Sequence, residues 1–212
     1  MATKNKSSKT KTNIKKKNIN KPVINFSNKL ILNQWMLRQF GVDSFNDLAE
    51  PFKGEDLEGT DDNNIYHFHH VLTANFVNKK LIDDQTLLEY DQNIVKHTQR
   101  INNSRITKGE KPITWKYFQY LTLLFTEIYL DRYFREPKIF LISLNDYIAK
   151  WNEDKPDSDK IKLFELDKEI ISQLNKVSYW SATGSGKTLL MHINIFQYVY
   201  YLEKNGLRNQ LN

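Results

Sequence analysis

The sequence predicts a mainly α fold followed by the first strand–loop–helix unit of an incomplete α/β domain. Three observations carry that expectation. Apolar residues recur at helical rather than alternating spacing through most of the chain. One polar run, Asn152 to Lys160 (NEDKPDSDK), interrupts them and reads as a linker. Beyond it, the β-prone run Val177-Ser178-Tyr179-Trp180 leads into a glycine loop and an amphipathic helix.

The N-terminus is read first as charge. Residues 1–22 hold eight lysines and no acidic residue, so the formal net charge of +6 is concentrated there and the remainder carries 23 basic against 25 acidic residues. A segment so polar cannot bury enough surface to offset its ordering entropy, which predicts a disordered tail, either a solubilising arm or a non-specific phosphate-binding one. The chain has no cysteine, which excludes disulfides, thiolate metal sites and cysteine nucleophiles and fits a cytoplasmic location. No apolar run has the form of a signal peptide.

Residues 23–151 read as a helical domain. Ser27 is placed to cap a first helix carrying Leu30, Ile31, Trp35, Leu37 and Phe40, and Gly41 to end it. A short helix from Ser44 to Glu50 is stopped by Pro51, and Lys53 to Asp62, with two glycines, reads as a loop. Helical spacing resumes over Asn64–Val77 and Asp83–Ile101, the latter with Leu87, Tyr90, Ile94 and Ile101 on one side. Pro112 to Phe134 is apolar around most of its circumference, as a helix in the middle of a domain is. Gln119, Glu127 and Asp131 interrupt it too often for a membrane span. Pro137 starts a further helix with Leu141, Leu144, Ile148 and Trp151 along one face. After the linker at 152–160, residues 161–212 are expected to begin a phosphate-binding domain, with a short helix at Asp167–Asn175 before the strand.

The chemistry lies in Ser181-Ala182-Thr183-Gly184-Ser185-Gly186-Lys187-Thr188. Glycines at 184 and 186 let the backbone curl around phosphate oxygens with its N–H groups inward. Lys187 supplies a cation for the β- and γ-phosphates, and the Thr188 hydroxyl is the usual ligand of the accompanying magnesium. The helix that follows aims its positive end at the same place. Residues Ala182 to Leu189 are therefore the expected cofactor-binding set for ATP and Mg2+, with Lys187 and Thr188 in the catalytic roles. On the helix, Leu189, Ile193, Phe196 and Tyr200 form an apolar stripe suited to packing on a parallel sheet.

The strict phosphate-loop pattern wants glycine at position 181 and finds serine. The run Tyr179 to His192, YWSATGSGKTLLMH, resembles the first motif of superfamily-two DEAD/DEAH-box helicases related to the motor subunits of type I and type III restriction enzymes. In that family the leading glycine is commonly replaced, often by methionine. The resemblance covers about 30 residues, roughly Lys176 to Asn205. It implies a RecA-like motor domain that couples ATP hydrolysis to movement along double-stranded DNA, with RNA as the alternative, in a restriction or phage-defence setting. It also implies partners: the remaining motor lobes, or a restriction-modification complex.

Such a motor needs a second acidic motif on a later strand and arginines from a second lobe. After Lys187 the one acidic residue is Glu203 and the one arginine is Arg208, and neither suits those roles. The expectation is an N-terminal portion of a longer helicase, inactive in hydrolysis by itself. The alternative is a non-catalytic helical interaction module whose loop is a relic or binds nucleotide without turnover. A small-molecule kinase fits poorly, because such enzymes usually carry this loop near the N-terminus.

Other residue groups carry blander readings. His67, His69 and His70 share a helix but have no evident third ligand for a metal. Asp83 and Asp84 read as helix-start residues, and His192 as surface of the loop helix. Trp115, Tyr117, Phe118 and Tyr120 read as core residues rather than a base-stacking platform.

Overall fold

The computed structural model describes residues 29–53, 57–77, 79–166, 170–179 and 183–210. The basic tail, the Ser27 cap, Trp180, Ser181 and Ala182 lie outside the described residues.

Helix α1 (Ile31–Gln39) ends at Gly41, and α2 (Phe45–Ala49) is capped by Ser44, whose hydroxyl accepts the Asp47 N–H. A 3-10 turn at Glu50–Phe52 follows. The helix expected over Asn64–Val77 is shorter, α3 (His67–Asn75), because Asn64 takes a positive φ of 59° and Thr60 bridges Tyr66. Asp83 caps α4 (Asp84–Thr107) by accepting from the Thr86 N–H and hydroxyl, both at 2.8 Å. That helix runs past Ile101 because nothing between Asp84 and Thr107 breaks it. The central helix α5 (Tyr117–Arg135) starts later than Pro112. The residues before it are irregular and bring Trp115 into the core, its indole donating to Thr98 Oγ1 at 2.9 Å. Pro137 opens α6 (Pro137–Asn152), and Trp35 of α1 ties the two helices by packing its ring at a tilt of 56° against Phe140 and donating to Ser143 Oγ at 2.9 Å. The polar run at 152–160 contains a 3-10 turn at Asp157–Asp159, and the Asn152 side chain exchanges two hydrogen bonds with Ile161.

The expected strand does not form. Among the described residues there is no strand and no sheet, so the strand–loop–helix unit of a RecA-like α/β domain is absent and helices are joined only by turns, irregular segments and one isolated bridge. After α7 (Ile170–Leu174), residues 175–179 are irregular and lie against α5. Tyr129 OH donates to the Leu174 carbonyl, and the Tyr179 and Thr126 hydroxyls meet at 2.6 Å. The physical reason is the neighbour. A strand needs a second extended backbone to pair with, whereas the α5 backbone has its own N–H and C=O groups satisfied and offers only side chains.

The loop helix, α8 (Lys187–Lys204), consequently packs on helices. Leu190, Ile193 and Tyr201 belong to the same buried cluster as Trp35, Leu124 and Leu144. The stripe is rotated from the expected one: Leu189 and Tyr200 are only partly covered, and Gln197 is fully buried.

Gln197 is buried because of Glu127, a carboxylate of α5 with no exposed surface. Glu127 accepts from Asn93 Nδ2 of α4 (2.8 and 2.9 Å), from Gln197 Nε2 (2.6 Å) and from Tyr201 OH (2.7 Å), so one carboxylate joins three helices. Beside it, Asp131 accepts from Tyr90 OH at 2.9 Å and pairs with Arg135 at 3.2 Å. Asp91, also buried, accepts from Tyr120 OH at 2.7 Å and the Tyr66 N–H at 3.2 Å.

Burial pushes Glu127 up to about 7, against the three donors that hold it down, and pushes Asp91 up to about 6. A folded chain that keeps a proton the unfolded chain has lost is stabilised by that group at low pH. The contribution fades as pH rises from about 4.5 through 7 for Glu127. His97, lowered to about 4 by burial, acts with the opposite sign between about 4 and 6.5. Glu127→Gln removes only the first effect. Its stability relative to the parent is expected to rise by about 3 kcal/mol between pH 4.5 and 7, read from urea midpoints at a series of pH values.

Candidate nucleotide-phosphate site

The loop enters α8 through two left-handed glycines. Gly184 has φ 78° and Gly186, the residue before the helix, has φ 82° and ψ 22°. Ser185 between them does not share the positive φ, and such alternation turns successive N–H groups toward one side, the geometry of an anion-binding nest. The first helical bond after the loop runs from the Leu190 N–H to the Gly186 carbonyl at 3.1 Å. Thr183, Gly184, Lys187 and Thr188 are exposed, Ser185, Gly186 and Leu189 half-buried.

A second helix begins at the same place, which the sequence alone did not suggest. Gln119 lies in the first turn of α5, where its Oε1 accepts the Lys116 N–H at 2.8 Å while its Nε2 donates to the Ser185 carbonyl at 2.9 Å. The N-terminal ends of α5 and α8 therefore meet across one side chain. Both helices begin beside the loop, so the positive ends of both dipoles lie near it. Lys116 pairs with Glu58. The Ser185 hydroxyl is shut from solvent and meets no hydrogen-bonding partner.

Gly186 is held by both conformation and space. A Cβ there would lie 2.6 Å from Gln119 Nε2. Gly186→Ala is expected to cost about 1–2 kcal/mol for the left-handed conformation and to displace the Gln119 amide from Ser185. A shifted denaturation midpoint checks the first effect. Gln119→Ala in the same background relieves the contact and leaves the conformational cost in place.

The remaining sequence-predicted residues fall elsewhere. His70 Nε2 lies 2.9 Å from Asp61 Oδ2, and that carboxylate also accepts the Asn63 and Ile65 N–H groups, so His70 belongs to a turn. His69 is buried against α4, and burial lowers its pKa. Among the described residues no group of three His, Asp or Glu side chains is placed to hold a metal ion. Trp115 and Tyr120 are fully buried, Tyr117 and Phe118 half-buried, and His192 exposed. Among the described residues no helix is long and apolar enough to cross a membrane.

Compared with protein-family models, curated proteins and solved structures, the chain matches none of them.

Proposed function

We propose that the loop 181–188 binds the phosphates of ATP with magnesium, as the first motif of an ATP-dependent helicase or translocase acting on double-stranded DNA. The observation that supports this best is the convergence of two helix N-termini on a loop of alternating backbone handedness that ends in Lys187-Thr188. In this reading the loop amides wrap the phosphates, Lys187 reaches the β- and γ-oxygens, and Thr188 offers its hydroxyl to magnesium. Binding without turnover is the expected behaviour of these residues alone. The buried carboxylates Glu127 and Asp131 are committed to Asn93, Gln197, Tyr201, Tyr90 and Arg135, and neither is offered to the loop. The absence of cysteine fits a reducing compartment, and we assign the chain to the cytoplasm.

One observation favours a second reading, a helical interaction module whose loop binds nucleotide but drives no motor. The helix after the loop is fastened into a helical core by Gln197 and Tyr201 instead of lying on a sheet. Phosphate release from ATP, followed with and without duplex DNA, separates the two. DNA-stimulated turnover supports the motor, and nucleotide binding that DNA leaves unchanged, without turnover, supports the module.

A further inference from the structure

Outside the tail, acidic residues slightly outnumber basic ones, yet residues 96–109 hold Lys96, Arg100, Arg105 and Lys108 and no acid. This is the C-terminal half of α4 and the residues that end it, and Lys96, Gln99, Arg100 and Asn103 on the helix and Lys108 just past it are exposed. The helix dipole accounts for cations in a last turn only, and Lys96 and Arg100 stand well before it. Both reach toward α8. The Arg100 guanidinium lies 4.2 Å from the centre of the Phe196 ring, and the Lys96 ammonium 5.3 Å from that of Tyr200. Lys204 brings a third cation to the Tyr200 ring, at 5.8 Å.

Three like charges are thus drawn onto two adjacent rings. Among the described residues none of the three lies within ion-pair distance of a carboxylate, and nearby Glu203 is engaged by Arg208 at 3.3 Å. Like charges gathered this way repel, and a polyanion relieves the repulsion while releasing its own counterions. The neighbouring exposed side chains, Gln99 and Asn103, are neutral hydrogen-bonding groups of the kind that contact phosphate and sugar.

We propose that this face, formed by the C-terminal half of α4 and the end of α8, binds the phosphate backbone of duplex DNA through Lys96, Arg100 and Lys204. It rests on the reading above for the kind of partner, but its test needs no nucleotide and no Lys187. The intact chain is titrated against a short labelled DNA duplex between about 50 and 200 mM salt, alongside a K96Q/R100Q/K204Q variant. The lysine-rich tail contributes equally to both, so the difference between them isolates this face. The variant is expected to bind at least tenfold more weakly at the lowest salt, with the slope of log affinity against log salt shallower by roughly two to three. A control with Lys53, Lys160 and Lys162 changed to glutamine, all paired with acids in the fold, is expected to behave as the parent. If the triple variant melts early, the three single variants replace it, each removing about one unit of slope. Parent-like slopes in the triple and single variants overturn the proposal, as does tighter binding to anionic lipid vesicles than to DNA at matched salt. ATP binding that fails while this slope change persists counts against the loop reading alone.

Discussion

Glu127→Ala is expected to destabilise the fold by about 3–5 kcal/mol at pH 5. Asn93, Gln197 and Tyr201 all donate to this one carboxylate, and all three are buried. Truncation leaves these donors without an acceptor, and each buried orphan costs about 1–3 kcal/mol, with a cavity added. Part of the loss is recoverable, because Gln197 also donates to the Leu123 carbonyl at 3.0 Å and keeps that bond. Glu127→Gln separates charge from hydrogen bonding, since it retains an acceptor and the volume and should lose far less. Urea unfolding of both variants decides it. At pH 5 the folded chain keeps the Glu127 proton, so equal losses would mean that the acceptor and volume that glutamine retains are not what hold α8 in place.

The second large effect concerns the loop. Lys187→Ala is expected to weaken ATP binding on the order of a hundredfold or more, since charge-assisted bonds to phosphate contribute about 1.5–3 kcal/mol each and a lysine in this position makes more than one. Lys187 is exposed at the start of α8, so the fold should tolerate the change and the melting temperature should move little. His70→Ala, which disturbs only the Asp61 turn, should leave ATP affinity as it is. A matching loss in both variants would point to a global defect instead of a phosphate contact.

What could be read from the sequence followed the strength of its periodic signals. The helices around Leu87-Tyr90-Ile94 and Leu141-Leu144-Ile148 carry clear apolar stripes, and both exist with those residues buried. Asp83 could be read as a cap because an acceptor before a long uninterrupted helix has few other uses. The strand could not be read correctly. Val177, Ser178 and Tyr179 have the side chains of a strand, but pairing depends on a neighbour that local sequence does not describe, and here the neighbour is α5. The buried network was visible only as an irregularity. Glu127 and Asp131 interrupt the most apolar segment, which argued against a membrane span, and nothing local tied them to Asn93 or to Gln197 some 70 residues on. Gln119 was missed for the same reason: its role is to join two helix starts that are far apart in the chain.

The most direct test of the central claim is equilibrium binding of ATP to the intact chain by calorimetry, with magnesium present and with magnesium chelated. Saturable binding at one site, strengthened by magnesium and lost in Lys187→Ala, is the predicted result. An absence of saturable binding, or binding that Lys187→Ala leaves unchanged, would contradict it.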